Sequence, residues 1–169
     1  MSAATELPDA EATLLALAER MRGAVAHDAA FVGIYSGGAW LAERLPALVP
    51  GNHPVGYIDV SFYRDDYART GLKPNTKRTE LPFDVDGATI VLVDDVLFTG
   101  RSVRAAVNEL FDFGRPARIE LAVLIDRGGR ELPIEPTYCG ARLAVARDLS
   151  IVLSRDDDRL RLAAEKAEG

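Results

Sequence analysis

The sequence lacks a second cysteine, a long apolar run and an excess of positive charge. Cys139 stands alone among 169 residues, which excludes an internal disulfide and a zinc site built on several thiolates, and agrees with a reducing compartment. The longest apolar runs, such as residues 121–125, are far shorter than the roughly 20 residues of a membrane span. The first residues include acids where a signal peptide needs bases and an apolar stretch. We therefore expect a cytoplasmic protein without a membrane partner.

The charge balance argues against a partner that is held through many phosphate contacts. Twenty basic and 26 acidic residues give a net charge of −6, and the pI is about 5.0. Such a field disfavours nucleic acid overall. Residues 63–80 are a local exception, because Arg64, Arg69, Lys73, Lys77 and Arg78 outnumber the acids there.

Composition and hydrophobic periodicity predict one α/β domain over residues 1–169. The chain is 48% hydrophobic and 27% charged, which is typical of one soluble domain. Asp9 is the expected N-cap of a first helix that ends near Gly23 or His27. Strands are predicted at residues 31–35, 55–63, 88–93, 119–125 and 150–153, and helices at 39–48 and after Thr99-Gly100. Alternating strands and helices indicate a parallel sheet with ligands at its carboxyl ends.

Two segments depart from this regular pattern. Residues 64–81 show no periodicity and hold Gly71, Pro74 and Asn75, which favours a lid or binding loop over a simple connection. Within the tail, residues 138–169, the segment 155–166 is weakly apolar and charged.

The densest chemical signal is the run VLVDDVLFTGRS at residues 91–102. Free backbone N–H groups at the start of a helix, with the hydroxyls of Thr99 and Ser102, suit a phosphate. Asp94 and Asp95 repel that anion but suit ribose hydroxyls or hydrated magnesium. Together these groups predict a ribose 5-phosphate site. The alternative is a solvated strand end followed by a helix N-cap.

This run resembles the phosphoribosyl diphosphate (PRPP) motif of type I phosphoribosyltransferases. Residues 58–66 (IDVSFYRDD), 114–116 (GRP) and 121–134 (LAVLIDRGGRELPI) narrow the resemblance to the pyrimidine operon regulator family with uracil phosphoribosyltransferase activity. The similarity extends from about Phe31 to Gly140. It implies the type I phosphoribosyltransferase fold, in which a mostly parallel sheet flanked by helices carries a mobile catalytic loop and a small hood formed by the terminal segments.

The resemblance also assigns roles to individual positions. PRPP binding falls on Asp94, Asp95, Val96, Leu97, Phe98, Thr99, Gly100, Arg101 and Ser102. Within this set, residues 99–102 receive the 5-phosphate, and the two acids receive the ribose hydroxyls and Mg2+, directly or through water and PRPP. Ser36, Gly37 and Gly38 receive pyrophosphate, and a strained or cis peptide is expected there.

Residues 64–81 resemble the mobile catalytic loop of this family. Arg64, Lys77 and Arg78 are the candidates for neutralising charge on the departing pyrophosphate. Magnesium would share that task as a Lewis acid. The alternative is an exposed, salt-bridged connection.

Phe98 favours a pyrimidine as the accepted base. Purine salvage relatives carry an acid immediately before the Thr-Gly pair, whereas an apolar ring cannot exchange a proton with a base. Ile125, Asp126, Arg127 and Gly128 resemble the strand end that contacts uracil through backbone groups. The alternative for this segment is a plain exit from a strand into a turn.

A regulatory role through RNA is the second implication of the resemblance. Relatives that bind pyrimidine operon mRNA carry Arg, His, Arg and Lys at the positions of Gly37, Gly129, Glu135 and Ala141. Glu135 would repel a phosphate there. The expected function is therefore conversion of uracil and PRPP to UMP and pyrophosphate, by a homodimer or homotetramer. The alternatives are a UMP-sensing attenuator with little catalysis and a purine or orotate phosphoribosyltransferase.

Overall fold

Residues 6–60 and 79–167 are described by a computed structural model of the chain. In these two ranges the helices and strands, in chain order, are α1 Ala10–Met21, β1 Ala30–Ile34, α2 Gly37–Arg44, β2 Val55–Ile58, β3 Thr89–Leu97, α3 Arg101–Phe113, β4 Arg118–Asp126, β5 Tyr138–Arg142, β6 Leu149–Asp156 and β7 Arg159–Lys166. A 3-10 turn, Leu45–Ala47, follows α2 and contains Pro46, whose ring and missing N–H do not fit the interior of an α-helix.

β1 to β5 form a parallel sheet in the order β2-β1-β3-β4-β5. β3 is therefore central, and the strands on both of its sides are buried through most of their length. Strands this apolar need helices on both faces. The predicted α/β architecture with a parallel sheet is confirmed, and its carboxyl ends meet at one edge.

The two faces of the sheet are covered by different elements. One cluster joins α1 and α2 to the β6–β7 hairpin, with Leu14, Leu17 and Met21 fully buried in it. The second cluster places α3 on the opposite face through Val103, Ala106 and Leu110. The sheet is thus held between two apolar layers, which fixes the positions of the turns at its edge.

The start of α1 follows the prediction. The side chain of Asp9 accepts a hydrogen bond of 2.9 Å from the backbone N–H of Ala12, as an N-cap does. The helix ends at Met21, two residues before Gly23, whose φ of +77° is outside the helical range.

Two element boundaries at the carboxyl edge of the sheet differ from the prediction. β3 was expected to end just before the two acids, but it continues through Asp94 and Asp95 to Leu97, because β4 supplies paired residues as far as Asp126. The helix after β1 begins at Gly37 rather than at Ala39. Both acids therefore lie within the last four residues of a paired strand.

The C-terminal part was predicted least well. Residues 155–166 are not a separate weakly apolar segment, because β6 and β7 pair as an antiparallel hairpin. Asp157 and Asp158 form its turn with φ values of 48° and 65°, a conformation that Asp tolerates better than most residues. β7 buries Leu160 while most of its residues are exposed, so its sequence pattern is weak. β5 was not predicted, since it is short and contains Gly140.

Part of the predicted lid falls outside the described ranges. Residues 61–78 are in this category, whereas Glu80 forms an isolated antiparallel bridge with Tyr57 of β2. Among the helices of residues 6–60 and 79–167, none has the length and hydropathy that a bilayer span requires.

Candidate active site

Ser36, Gly37 and Gly38, the residues predicted to hold pyrophosphate, lie between the end of β1 and the first turn of α2. This segment is named here the glycine turn. The peptide bond between Tyr35 and Ser36 is cis, as the resemblance led us to expect. A Cβ atom on Gly37 would overlap the carboxylate of Asp95, and one on Gly38 would overlap the carbonyl oxygen of Val93. The absence of side chains at these positions therefore lets the turn lie directly against the end of β3.

The paired acids lie at the same place. Asp94 is buried and Asp95 is half-buried. The backbone N–H of Asp95 donates to the carboxylate of Asp94 at 2.9 Å, and the N–H of Val96 donates to the carboxylate of Asp95 at 2.8 Å. Each carboxylate is thus oriented by the backbone of the following residue. The structure brings both acids and the glycine turn together, as the sequence predicted.

The donor set fits magnesium that is shared with a substrate. Magnesium is usually bound through one or two carboxylates plus substrate phosphates and water, rather than by an all-protein cage. Asp94 and Asp95 supply two adjacent carboxylates of this kind. Within residues 6–60 and 79–167, no group of three or more His, Cys, Asp or Glu side chains is arranged to hold an ion. The two acids thus suit an ion that also takes oxygen atoms from a phosphorylated ligand.

The turn from β3 into α3, residues 99–102, is named here the phosphate loop. Gly100 has a φ of +95° and stands at the N-cap position of α3. The hydroxyl of Thr99 accepts a hydrogen bond of 3.2 Å from the N–H of Arg101. The first N–H groups of α3 carry the positive end of the helix dipole and have no acceptor within the helix. This arrangement suits an anion at the end of β3, next to the glycine turn at the end of β1.

Residues 125–128, named here the base turn, form the end of β4 and its exit. Asp126 is 3% exposed, and its carboxylate accepts hydrogen bonds from Arg130 and Arg142 at 2.7 Å each and from the N–H of Gly128 at 3.0 Å. Burial by itself raises the pKa of Asp126, but these donors and the two positive charges hold that pKa below its ordinary value. The carboxylate is therefore ionised and serves to fix the turn.

Arg127 is also directed toward protein groups. Its guanidinium donates to the carbonyl oxygens of Leu149 and Ala146 at 2.6 and 2.9 Å and lies 4.1 Å from the centre of the Phe98 ring. Burial lowers the pKa of Arg127. The side chains of Asp126 and Arg127 hold the turn, so the peptide groups of residues 125–128 are the candidates for contact with a base.

Two clefts lie along β5. The larger, about 620 Å³, is lined by Arg20, Ala24 and residues 136–142, and no part of the phosphate loop borders it. The smaller, about 400 Å³, is lined by residues 126–128, Arg130, Glu135 and residues 142–144. The smaller cleft is the better candidate for the base site, because the base turn forms part of its wall.

Five basic residues differ in how far the sequence and the structure assign them to the site. The candidate catalytic cations Arg64, Lys77 and Arg78 lie outside the described ranges, so their role stays a prediction. The sequence analysis assigned no site role to Arg130 or Arg142. Arg130 forms an ion pair with Asp126, and its contact with the carbonyl of Phe98 depends on how β3 and β4 approach each other, which no local pattern indicates.

The ionised Asp126 leads to a pH-dependent prediction. Replacing Asp126→Asn should lower the free energy of unfolding at pH 7 by about 3 kcal/mol, because Arg130, which is only 17% exposed, loses its charged partner. The folded pKa lies below the reference value of 3.8, so the carboxylate stabilises fully above that value and its contribution is lost as the pH falls through the folded pKa. The difference in unfolding free energy between wild type and variant should therefore be smaller at pH 3 than at pH 7, as measured by urea unfolding.

The matched control is Asp112→Asn on the exposed side of α3. It should change the unfolding free energy by less than about 0.5 kcal/mol at either pH. A difference between wild type and Asp126→Asn that stays constant from pH 7 to pH 3 would contradict the assignment.

Comparison with known proteins agrees with this geometry. Residues 5–141 match the phosphoribosyl transferase domain family. The chain is 54% identical over 142 residues to "Bifunctional protein PyrR" of Ralstonia nicotianae, covering 84% of this chain and 81% of that protein. It is 51% identical over 123 residues to the protein of the same name from Pseudomonas paraeruginosa, covering 73% and 72%.

A solved structure supports the fold. The hypoxanthine-guanine phosphoribosyltransferase of Bacillus anthracis superposes with a TM-score of 0.69 at 15% identity, covering 99% of this chain and 100% of that one. At this identity the likeness concerns the fold and not the substrate. Together these similarities confirm the enzyme class predicted from the motifs. Since 54% identity extends over most of both proteins, the chain belongs to the PyrR family of phosphoribosyltransferases.

Proposed function

We propose that the chain transfers the phosphoribosyl group of PRPP to uracil, giving UMP and pyrophosphate. The observation that carries this proposal is the meeting of three features at one sheet edge. The glycine turn of residues 36–38 lies against Asp95, the phosphate loop opens α3, and the base turn ends β4, the neighbour of β3. PRPP requires sites for a 5-phosphate, a sugar and a pyrophosphate, and the base turn adds a site for the acceptor.

Each part of the substrate has a chemically suitable neighbour. Backbone N–H groups of the phosphate loop would bind the 5-phosphate, and the carboxylates of Asp94 and Asp95 would accept hydrogen bonds from the ribose hydroxyls. Backbone groups of residues 36–38 would hold pyrophosphate. Magnesium, when held by the two acids and PRPP, supplies neutralisation of the phosphate charges.

The reaction exchanges one bond at the ribose C1 atom. A nitrogen of uracil forms a bond to C1 and releases its proton, while the bond between C1 and pyrophosphate oxygen breaks and its electron pair leaves with pyrophosphate. Positive charge develops on the sugar ring, so nearby carboxylates stabilise the transition state. Arg64, Lys77 and Arg78 are proposed to neutralise the departing group.

Phe98 supports a pyrimidine as the acceptor. Its ring is covered by the Arg127 guanidinium and lies so close to Gly129 that a Cβ atom at that glycine would overlap it. The residue before the phosphate loop therefore presents an apolar ring to the base turn and no group that exchanges a proton. Purine phosphoribosyltransferases share the fold, but this position argues against their substrate.

Replacing both acids tests the nucleotide site. The double variant Asp94→Asn, Asp95→Asn should lower uracil-dependent pyrophosphate release by about 100-fold or more, because charge developing on the sugar is no longer stabilised. Its affinity for UMP should fall as well, as measured by calorimetry. Asp112→Asn, on α3, should retain wild-type turnover. Unchanged UMP affinity in the double variant would overturn the site assignment.

A competition between bases tests the substrate. With PRPP, magnesium and equal concentrations of uracil, hypoxanthine and orotate, chromatography should show UMP as the main nucleotide. The physical reason is the missing acid at Phe98. A preference for hypoxanthine or orotate would refute the pyrimidine assignment and favour a purine or orotate enzyme.

A second function is suggested by the name of the curated relatives, which are called bifunctional. Pyrimidine operon mRNA is the partner that the family resemblance implies. The arginines beside the base turn are already paired with acids. Arg130 and Arg142 pair with Asp126, and the carboxylate of Glu135 lies 3.8 Å from Arg130. We therefore propose that catalysis is the main activity of this chain.

Filter binding separates the two activities. Titration with the operon leader RNA and UMP at two salt concentrations should show weak affinity that decreases as salt increases, because few phosphates are neutralised. Uracil-dependent turnover should be present in the same preparation. Tight RNA binding without turnover would instead favour a UMP-sensing attenuator.

The remaining properties follow from the family and the composition. We propose a cytoplasmic homodimer or homotetramer with one phosphoribosyltransferase domain, whose hood is formed by the N- and C-terminal segments. α1 and the β6–β7 hairpin share one apolar cluster, which supports that hood.

A further inference from the structure

Arg130 joins three parts of the candidate site through one planar group. Its side chain is 17% exposed. Nε donates to the carbonyl oxygen of Ile134 at 2.6 Å, Nη1 donates to the carbonyl oxygen of Phe98 at 3.1 Å, and Nη2 donates to the carboxylate of Asp126 at 2.7 Å. All three guanidinium nitrogens are therefore engaged by protein acceptors. One of these acceptors immediately precedes the phosphate loop, and another belongs to the base turn.

The backbone on either side of this contact is connected as well. The carbonyl oxygen of Leu97 accepts from the N–H of Arg127 at 3.1 Å, and that of Thr99 accepts from the N–H groups of Glu131 and Leu132 at 3.0 and 3.2 Å. Three consecutive carbonyls, at residues 97–99, thus face the segment 127–132. Of these three carbonyls, the middle one, at Phe98, accepts from the Arg130 side chain rather than from a backbone N–H.

Apolar contacts lie beside the same hydrogen bonds. A Cβ atom on Gly100 would lie 3.3 Å from Cβ of Ile134, so the phosphate loop lies close to the residue whose carbonyl Arg130 holds. The Phe98 ring lies against Gly129. Both contacts depend on the spacing between the phosphate loop and the chain that follows the base turn.

The charge of Arg130 is balanced inside the protein. Its hydrogen bond and ion pair with Asp126 raise the pKa of Arg130 and keep it protonated. Asp126 is also paired with Arg142, whose side chain is 63% exposed. Because the charge and the three nitrogens of Arg130 serve protein groups, this side chain acts as a brace between two segments.

We propose that Arg130 is a positioning residue, which sets the base turn relative to the phosphate loop so that uracil and the phosphoribosyl group are held at reacting distance. This role rests on the proposed function. A group transfer depends steeply on such spacing, and a shift of about 1 Å reduces the rate on the order of 100-fold. Lysine cannot replace the brace, since one ammonium group does not reach three acceptors in the plane of a guanidinium.

Two ligands of different length distinguish this role from general stability. UMP spans both the phosphate loop and the base turn, whereas ribose 5-phosphate reaches the phosphate loop and the sugar site. Arg130→Lys and Arg130→Gln should weaken UMP binding about 10-fold or more and leave ribose 5-phosphate binding within about 2-fold, as measured by calorimetry. The kcat for UMP formation should fall about 100-fold, with a smaller change in the KM for PRPP.

Arg118→Gln is the matched control. Arg118 forms an ion pair with the buried carboxylate of Glu120 at the start of β4, whereas the base turn lies at the other end of that strand. This variant should keep the wild-type affinity for both ligands and the wild-type kcat. Circular dichroism and thermal unfolding of the three variants establish that each one is folded, and the two substitutions at position 130 provide independent folded samples.

Each contrary result overturns the proposal. It fails if Arg130→Lys keeps wild-type UMP affinity and turnover, if both ligands lose affinity equally, or if the wild type binds UMP no better than ribose 5-phosphate. The proposed function fails separately, when wild type shows no uracil-dependent pyrophosphate release. In that case an unequal loss of UMP and ribose 5-phosphate affinity would still show that Arg130 positions the two binding segments.

Discussion

Parallel pairing of β3 with β1 and β4 is the constraint on which the rest of the molecule depends. In a parallel sheet every strand delivers its carboxyl end to the same edge, so three turns that are far apart in the chain become neighbours. The apolar runs of these strands are buried between helices on both faces. Hydrophobic burial thereby fixes the relative positions of polar groups from separate segments, such as Asp95 and the glycine turn.

Acidic side chains at this edge have two different physical roles. Asp94 and Asp95 are oriented by neighbouring backbone N–H groups and lie beside the glycine turn. We propose that they bind the sugar and a metal ion there. Asp126 instead accepts from two arginines and one backbone N–H, and its charge is balanced within the fold. Aspartate is thus proposed to serve ligand recognition in one place, while it holds a turn in the other, because its surroundings differ.

Elements with strong local signals were predicted well. The Asp9 cap, the buried strands and the turn that opens α3 each depend on residues that are adjacent in the chain. The β6–β7 hairpin was missed, since its stability comes from Leu160 and its neighbours packing on distant elements rather than from its own pattern. The extension of β3 past the acids was missed for the same reason, because β4 provides the hydrogen-bonding partners.

By itself, the sequence determined the α/β class, the phosphoribosyltransferase motifs and the identity of the groups at each turn, since these depend on short spacings and residue chemistry. Tertiary structure decided which of those groups face each other. The register of β3 against β4 brings the carbonyl of Phe98 to the guanidinium of Arg130, 32 residues further along the chain, whereas Asp126 and Arg130 are only four residues apart. Hydrogen bonds of this kind require fixed distances between separate segments, and the folded sheet alone supplies those distances.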